Sequence, residues 1–125
     1  MPPLPTDAEL EILAALWTRG PSTVREVHQE MGKKSAYTTT LKQMQVMTRK
    51  GLVVRKERFG VHVYEAAESQ EETQQQIAGD VLRRAFGGSA KSLLLGALKA
   101  QPASNAELAE IRRLLGDFEK RRKSK

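Results

Sequence analysis

The sequence predicts a mainly α fold with a small β-hairpin: a winged helix-turn-helix followed by a C-terminal helical dimerisation region. Helix-capping pairs precede four segments in which apolar residues have helical spacing. Three helical segments and a hairpin follow one another within about sixty residues, which is the element order of a winged helix. The helical period then returns from Ser69. We expect a winged-helix domain over residues 1–67 and a helical dimerisation region with a basic tail over 68–125.

The capping pairs consist of a serine or threonine followed three residues later by a glutamate. The hydroxyl accepts a hydrogen bond from the third helical amide, while the carboxylate accepts one from the amide of the cap residue. A single pair is a weak signal, whereas four pairs that each open a helical pattern are a strong one. The pairs are Thr6/Glu9, Thr23/Glu26, Ser69/Glu72 and Ser104/Glu107.

The first two helices are predicted from the spacing of apolar residues and from the glycines that end them. The first runs from about Asp7 to Arg19 and stops at Gly20 and Pro21. The second runs from about Val24 to Met31 and stops at Gly32. Together they form the supporting part of a helix-turn-helix.

The third helix is the predicted recognition helix. It begins near Ser35 or Ala36 and ends at Gly51. Its inward face is expected to carry Tyr37, Leu41, Met44 and Thr48. The opposite face then carries Ser35, Thr39, Lys42, Val46 and Arg49, with Thr38 and Gln43 at its flanks.

Two short β-branched runs, residues 52–57 and 61–64, predict an antiparallel hairpin. Arg58, Phe59 and Gly60 separate them, and the glycine suits a turn position with positive φ. Lys56 and Arg58 lie near the predicted tip, where a wing meets the DNA backbone or the minor groove. We expect Phe59 to pack within the wing itself.

After residue 69 the apolar residues form stripes with helical spacing, and the last helix has the 3-4-3 spacing typical of a helix–helix seam. These stripes have little else to bury against, which predicts a homodimer. The expected dimerisation residues are Ile77, Val81, Leu82, Phe86, Leu94, Leu98, Leu108, Ile111, Leu115 and Phe118.

Charge is distributed unevenly along the chain. The net charge is +6 and the pI is near 9.8. Residues 33–58 contain eight lysines and arginines and one acid, a net +7, whereas residues 59–82 contain five acids and no lysine or arginine, a net −5. The basic block favours an anion-binding face and therefore double-stranded DNA as the partner.

Hydroxyls at the start of the third helix suit phosphates, Lys42 suits guanine or phosphate, and Val46 suits a thymine methyl group. Structural roles for several of these residues stay open. The threonines of residues 38–40 would only form the start of the helix, and Arg49 and Lys50 would interact with its C-terminal dipole. Lys56 and Arg58 would belong to an ordinary charged turn, and Thr23 would only cap the second helix. The candidate DNA-binding residues are Thr23, Arg25, Ser35, Thr38, Thr39, Lys42, Gln43, Val46, Arg49, Lys56 and Arg58.

The sequence provides no pattern for catalysis, a metal or another cofactor. Cysteine is absent, and His28 and His62 are the only histidines. No phosphate-binding glycine loop, nucleophile elbow or zinc-protease motif occurs. No apolar run reaches the length of about 20 residues that a membrane span requires. These observations favour a cytoplasmic protein that is not an enzyme.

Several stretches of the first 66 residues form an ordered set: 6–13 leading to Leu16 and Trp17, 23–27, 36–39, and 50–53 followed by Val63 and Tyr64. This set resembles the penicillinase repressor family of bacterial winged-helix regulators. The remainder is similar in helical layout and in residues 86–89. The resemblance implies a homodimeric repressor of resistance or transport genes that binds a palindromic operator.

The resemblance also implies a route of inactivation. In one branch of the family, a sensor-linked membrane metalloprotease cleaves an Asn-Phe bond in the dimerisation region. The nearest equivalent here is the Gly96-Ala97 bond, so both residues of that pattern are replaced. A second branch uses a C-terminal cysteine motif, which this sequence lacks. Many relatives carry arginine where this chain has Val46, a difference that bears on the operator sequence recognised.

Two other functions compete with a specific repressor. One is a winged-helix protein-interaction module whose basic block docks an acidic partner. The other is a nonspecific DNA-compacting protein. Weak salt dependence of duplex binding favours the first, and equal competition by cognate and scrambled palindromes favours the second.

Overall fold

The computed structural model describes residues 3–32 and 34–123. Within this part the chain divides after Asp80 into two compact units. The elements are α1 (Asp7–Arg19), α2 (Val24–Glu30), α3 (Tyr37–Lys50), β1 (Val53–Arg58), β2 (Val61–Ala66), α4 (Gln70–Ala85), α5 (Ala90–Ala100) and α6 (Asn105–Lys123).

The first unit has one apolar core, formed where α1, α2 and α3 pack together and against the hairpin. Its most buried members include Ile12, Val27, Met44 and Met47, each 0% exposed. Trp17 packs at the edge, and its indole nitrogen donates a hydrogen bond to the Glu68 carbonyl oxygen at 3.1 Å. This contact ties the end of α1 to the chain just before α4.

The predicted helix starts are observed. Reciprocal hydrogen bonds join Thr6 with Glu9 and Thr23 with Glu26. Ser69 and Glu72 form the same two bonds, and the Ser104 hydroxyl accepts from the Glu107 amide. These caps satisfy helix amides that would otherwise lack partners inside the fold.

Glu9 has a second partner that links α1 to the end of α3. The Lys50 ammonium group lies 2.8 Å from its carboxylate, and Glu9 is only 5% exposed. Burial alone would raise the pKa of Glu9, but hydrogen bonds from Lys50 and Thr6 and the charge of Lys50 hold that pKa below its usual value. The sequence left the role of Lys50 open, and its ion pair with the buried Glu9 shows that Lys50 stabilises the fold.

The hairpin is antiparallel, and Arg58 pairs with Val61. The turn has only two residues, Phe59 and Gly60, with φ of 51° and 77°. Positive φ at both positions is the pattern of a type I′ turn, whose twist matches that of the strands. Arg58 is thus the last residue of β1 rather than part of the turn.

Phe59 does not pack within the wing, so that expectation was wrong. Its side chain is fully exposed, because the tight turn places it beyond the ends of both strands. The base of the hairpin is held by Ser22, whose amide and carbonyl both bond to Tyr64. The wing is therefore anchored at its base and open at its tip.

The second unit lacks a well-covered core within the single chain. No residue of α5 or α6 is buried. The large apolar side chains that are most exposed are Leu95, Leu114, Leu115 and Phe118, at 50% to 60%. Helices with such exposed apolar stripes ordinarily bury them against another surface.

Candidate nucleic-acid interface

The orientation of α3 decides which side chains are available to a partner. Thr40, Met44 and Met47 are its buried residues, each 0% exposed. Of the four residues predicted to face inward, Met44 is buried, whereas Tyr37, Leu41 and Thr48 are only half-buried. At 100° per residue, the inward face is rotated by roughly 60° from the predicted one.

The exposed side of α3 still contains most of the predicted contacts. Thr38, Thr39, Lys42 and Arg49 are exposed, while Gln43 and Val46 are half-buried at its margins. Gln45 is exposed as well, although the predicted orientation of the helix assigned it to neither face. We call Thr38, Lys42, Gln45 and Arg49 the outer stripe of α3.

Thr40 differs from its neighbours Thr38 and Thr39, which are exposed. Its side chain is wholly buried, and its hydroxyl oxygen has no hydrogen-bond partner in the described part of the chain. A threonine hydroxyl inside a helix usually bonds to a carbonyl one turn earlier, as Thr48 does to Met44 at 2.8 Å. Thr40 thus fills the core with its methyl group while its hydroxyl stays unsatisfied.

Replacing Thr40 by valine is expected to stabilise the protein by about 1–2 kcal/mol, because a buried unsatisfied hydroxyl is exchanged for a methyl group of similar size. Denaturant unfolding of the variant measures the change. Thr39→Val, which alters an exposed neighbour, is the control and is expected to gain little. An equal or lower stability of Thr40→Val would contradict the burial of this side chain without a partner.

The start of α3 lacks the side-chain cap that the first two helices have. Ala36 is its N-cap residue and makes no side-chain hydrogen bond. The Thr39 amide bonds to the Ala36 carbonyl oxygen at 3.0 Å. The amides of Tyr37 and Thr38, together with the Thr38 hydroxyl, remain for an anion such as a phosphate. Ser35 lies before the helix rather than on its outer face.

Side chains of α2 fix this helix start in place. His28 donates from Nε2 to the Ser35 carbonyl oxygen at 2.7 Å, and its ring meets the Tyr37 ring edge-on. The Arg25 guanidinium lies 5.0 Å from the centre of the same Tyr37 ring. Arg25 is exposed, whereas Thr23 is half-buried and serves as the cap of α2.

An open groove separates the α2 and α3 starts from the wing. The wing side includes Val61 and His62, and the helical side includes Arg25, Tyr37 and Leu41. His62 was considered earlier only as a metal ligand. The alternation of side chains along the strand could have indicated that His62 borders this groove, because it places His62 on the same strand face as Tyr64.

The two cations near the tip of the wing, Lys56 and Arg58, differ in their surroundings. Lys56 pairs with Glu65 at 2.6 Å, whereas Arg58 is exposed at the end of β1. The hydrogen bond and charge of Lys56, with the charge of Arg58, hold the pKa of Glu65 below its usual value. Lys56 must therefore exchange Glu65 for a phosphate if it is to contact DNA.

The described part of the chain offers neither a metal site nor a membrane-spanning helix. Among residues 3–32 and 34–123, no three histidines, aspartates or glutamates come together in a way that could hold a metal ion. None of the helices in this part combines the length and apolar character needed to cross a membrane.

The sequence profile of the penicillinase repressor family matches residues 5–117. The chain belongs to this family. It is 23% identical over 116 residues to the penicillinase repressor of Staphylococcus aureus, covering 91% of this chain and 92% of that protein. It is 24% identical over 120 residues to the penicillinase repressor of Bacillus licheniformis, covering 94% of each. The resemblance inferred from the sequence is therefore confirmed.

A solved structure of a MarR family protein from Bacillus stearothermophilus is also similar, with a TM-score of 0.52 and 23% sequence identity. The match covers 95% of this chain and 76% of that one, and it bears on the fold alone. The predicted fold class, mainly α with a hairpin wing, is confirmed. As a member of the penicillinase repressor family, the protein is a DNA-binding transcriptional repressor rather than an enzyme.

The predicted dimerisation residues vary in exposure. Leu94, Leu115 and Phe118 are exposed. The half-buried ones are Ile77, Val81, Leu82, Phe86, Leu98, Leu108 and Ile111. Leu95 and Leu114 are exposed apolar residues that the sequence analysis left out.

The Gly96-Ala97 bond, which the sequence resemblance singled out as a possible cleavage point, lies inside a helix. Gly96 and Ala97 belong to α5, and a Cβ atom added at Gly96 would lie 3.3 Å from the Phe86 ring. The glycine therefore allows the ring to pack closely on the α5 backbone.

Proposed function

We propose that the protein represses transcription as a homodimer that binds a palindromic operator, with one α3 helix of each protomer in the major groove. Residues 1–67 would form the DNA-binding part and residues 68–125 the dimerisation part. The outer stripe of α3 carries this proposal, because it offers polar and cationic side chains from a helix whose other side is anchored by Met44 and Met47.

Each residue of the stripe suits a different feature of the major groove. Lys42 can donate to guanine O6 and N7, and Gln45 can bond to both N6 and N7 of adenine. Thr38 and the uncapped amides beside it suit a phosphate at the start of the helix. Arg49 lies about three turns further along and suits a phosphate on the other side of the groove.

The second unit supports the homodimer. Leu114, Leu115 and Phe118 of α6 leave half or more of their side-chain surface in water in the single chain. A second copy would cover these side chains through a two-fold interface, in which the same patch serves both partners. Two linked DNA-binding units then match a palindrome with half-sites about one helical turn apart.

We further propose that the protein acts in the bacterial cytoplasm at promoters of resistance or transport genes. Proteolysis at Gly96-Ala97 by a sensor-linked protease would end repression by dividing the dimerisation part. Proteases cleave exposed, extended segments most readily, so α5 would have to unwind locally before the cut.

The proposed function is tested by selecting bound duplexes from random sequence and mapping the protected bases. A repressor of this kind recovers a two-fold symmetric site, and a scrambled competitor displaces it poorly. Equal competition by the scrambled duplex would indicate DNA compaction instead. Binding without a steep salt dependence would indicate that the basic block docks an acidic protein.

Replacing Glu65 by glutamine is expected to strengthen binding to any duplex by about threefold to tenfold at low salt, because Lys56 is released to a phosphate. The slope of log affinity against log salt should become steeper by about one. Titration of a labelled duplex at several salt concentrations measures both quantities. Glu57→Gln removes the same charge without releasing Lys56, so an unchanged slope in Glu65→Gln would exclude a phosphate contact by this lysine.

A further inference from the structure

The tip of the wing combines two unfavourable features in one residue. Phe59 is the one non-glycine residue of the described chain with a positive φ, at 51°. Its side chain is fully exposed, although apolar rings ordinarily avoid water. Type I′ turns favour asparagine, aspartate or glycine at this position, and bulky residues are rare there.

Neither the positive φ of Phe59 nor its exposed ring stabilises the folded protein. No ring or apolar side chain packs on Phe59, and asparagine would satisfy the same turn with less strain. Residues that oppose local preference in this way are most often retained for a contact with a partner. The chain has only six aromatic residues, so one that is fully exposed indicates a role outside the core.

The surroundings of Phe59 indicate the chemistry of that partner. Arg58 precedes it directly, and the strand that ends there contains Arg55, Lys56 and one acid, Glu57, which gives it a net charge of +2. Val61, two residues further on, lines the groove whose other side is the start of α3. An apolar tip among cations suits a polyanion with an apolar interior, which describes duplex DNA.

We propose that Phe59 inserts into the minor groove beside the α3 contact and partly unstacks one base step there. This inference rests on the proposed function, because it requires α3 to occupy the adjacent major groove. Apolar wedges act in this way in proteins that bend DNA, and pyrimidine–purine steps yield most easily. Phe59 thus makes affinity depend on the deformability of flanking base pairs that the outer stripe of α3 does not contact.

The test compares Phe59→Asn and Phe59→Leu with the full-length protein. The duplex is the site selected from random sequence, with 2-aminopurine at each flanking step in turn. Wild type is expected to increase the fluorescence at one flanking step and to bend the duplex. Phe59→Leu, which keeps an apolar wedge, should retain most of both signals.

Phe59→Asn should lose both signals and bind about tenfold more weakly, because the contact that the bend permits is gone. Its melting temperature should equal or exceed that of wild type, which excludes misfolding as the cause. Replacing the flanking step that Phe59 unstacks by an A-tract, which is stiff, should weaken binding by wild type but not by Phe59→Asn. Unchanged fluorescence, bend and affinity in Phe59→Asn would overturn the wedge and point to a protein partner for this ring.

The same experiment separates this inference from the proposed function. If wild type selects a palindrome and needs Lys42 but is indifferent to Phe59→Asn, only the wedge fails. If wild type selects no site, the proposed function fails and the wedge fails with it.

Discussion

Replacing Lys42 by alanine is expected to weaken binding to the cognate operator by about tenfold to a hundredfold, because this lysine lies at the centre of the exposed side of α3. Titration of the selected duplex against one with a substituted base pair measures the change. If Lys42 contacts a base, the variant should also discriminate less at one position of each half-site.

The alternative role for Lys42 is a phosphate contact, and the same titration separates the two. The loss would then be similar on every sequence, and the salt slope would fall by about one. Lys91→Ala removes an exposed lysine from the second unit and serves as the control. Equal and salt-independent binding by wild type and Lys42→Ala would exclude both roles.

Replacing Leu115 by glutamate is expected to convert the dimer to a monomer and to weaken operator binding by more than about a hundredfold, since the two half-sites would have to be bound independently. The carboxylate would be placed in the apolar stripe of α6, where a second copy should pack. Sedimentation equilibrium measures the mass, and duplex titration measures the affinity.

Ala109→Glu is the matched control for this variant. Ala109 is exposed on α6 and lies about 140° around the helix from the centre of the predicted stripe, so the same charge should leave the dimer intact. A Leu115→Glu protein that remains a dimer with wild-type affinity would show that α6 does not form the interface.

Local chemistry made the element boundaries predictable. Each Ser/Thr–Glu pair defines a helix start through bonds between residues three apart, so no tertiary information is needed. The hairpin followed likewise from β-branched residues and from Gly60. The two-residue turn was missed because it places Phe59, a residue that rarely adopts positive φ, in the left-handed region.

The orientation of α3 depended on packing that the sequence does not display. Thr40 is polar by type, so the periodicity did not assign it to the core, yet its methyl group is wholly buried. Met47 was passed over for Thr48, whose hydroxyl bonds back to the helix instead. The role of Lys50 was likewise hidden, because its partner Glu9 lies 41 residues earlier.

Chemical probing of guanine N7 on the selected operator tests the major-groove role of α3 most directly, because this atom lies in that groove alone. We expect wild type to protect guanines in two patches about one helical turn apart, and Lys42→Ala to lose protection at one symmetric position in each patch. Protection that is identical in both proteins, or that is confined to minor-groove atoms, would contradict recognition by the outer stripe of α3.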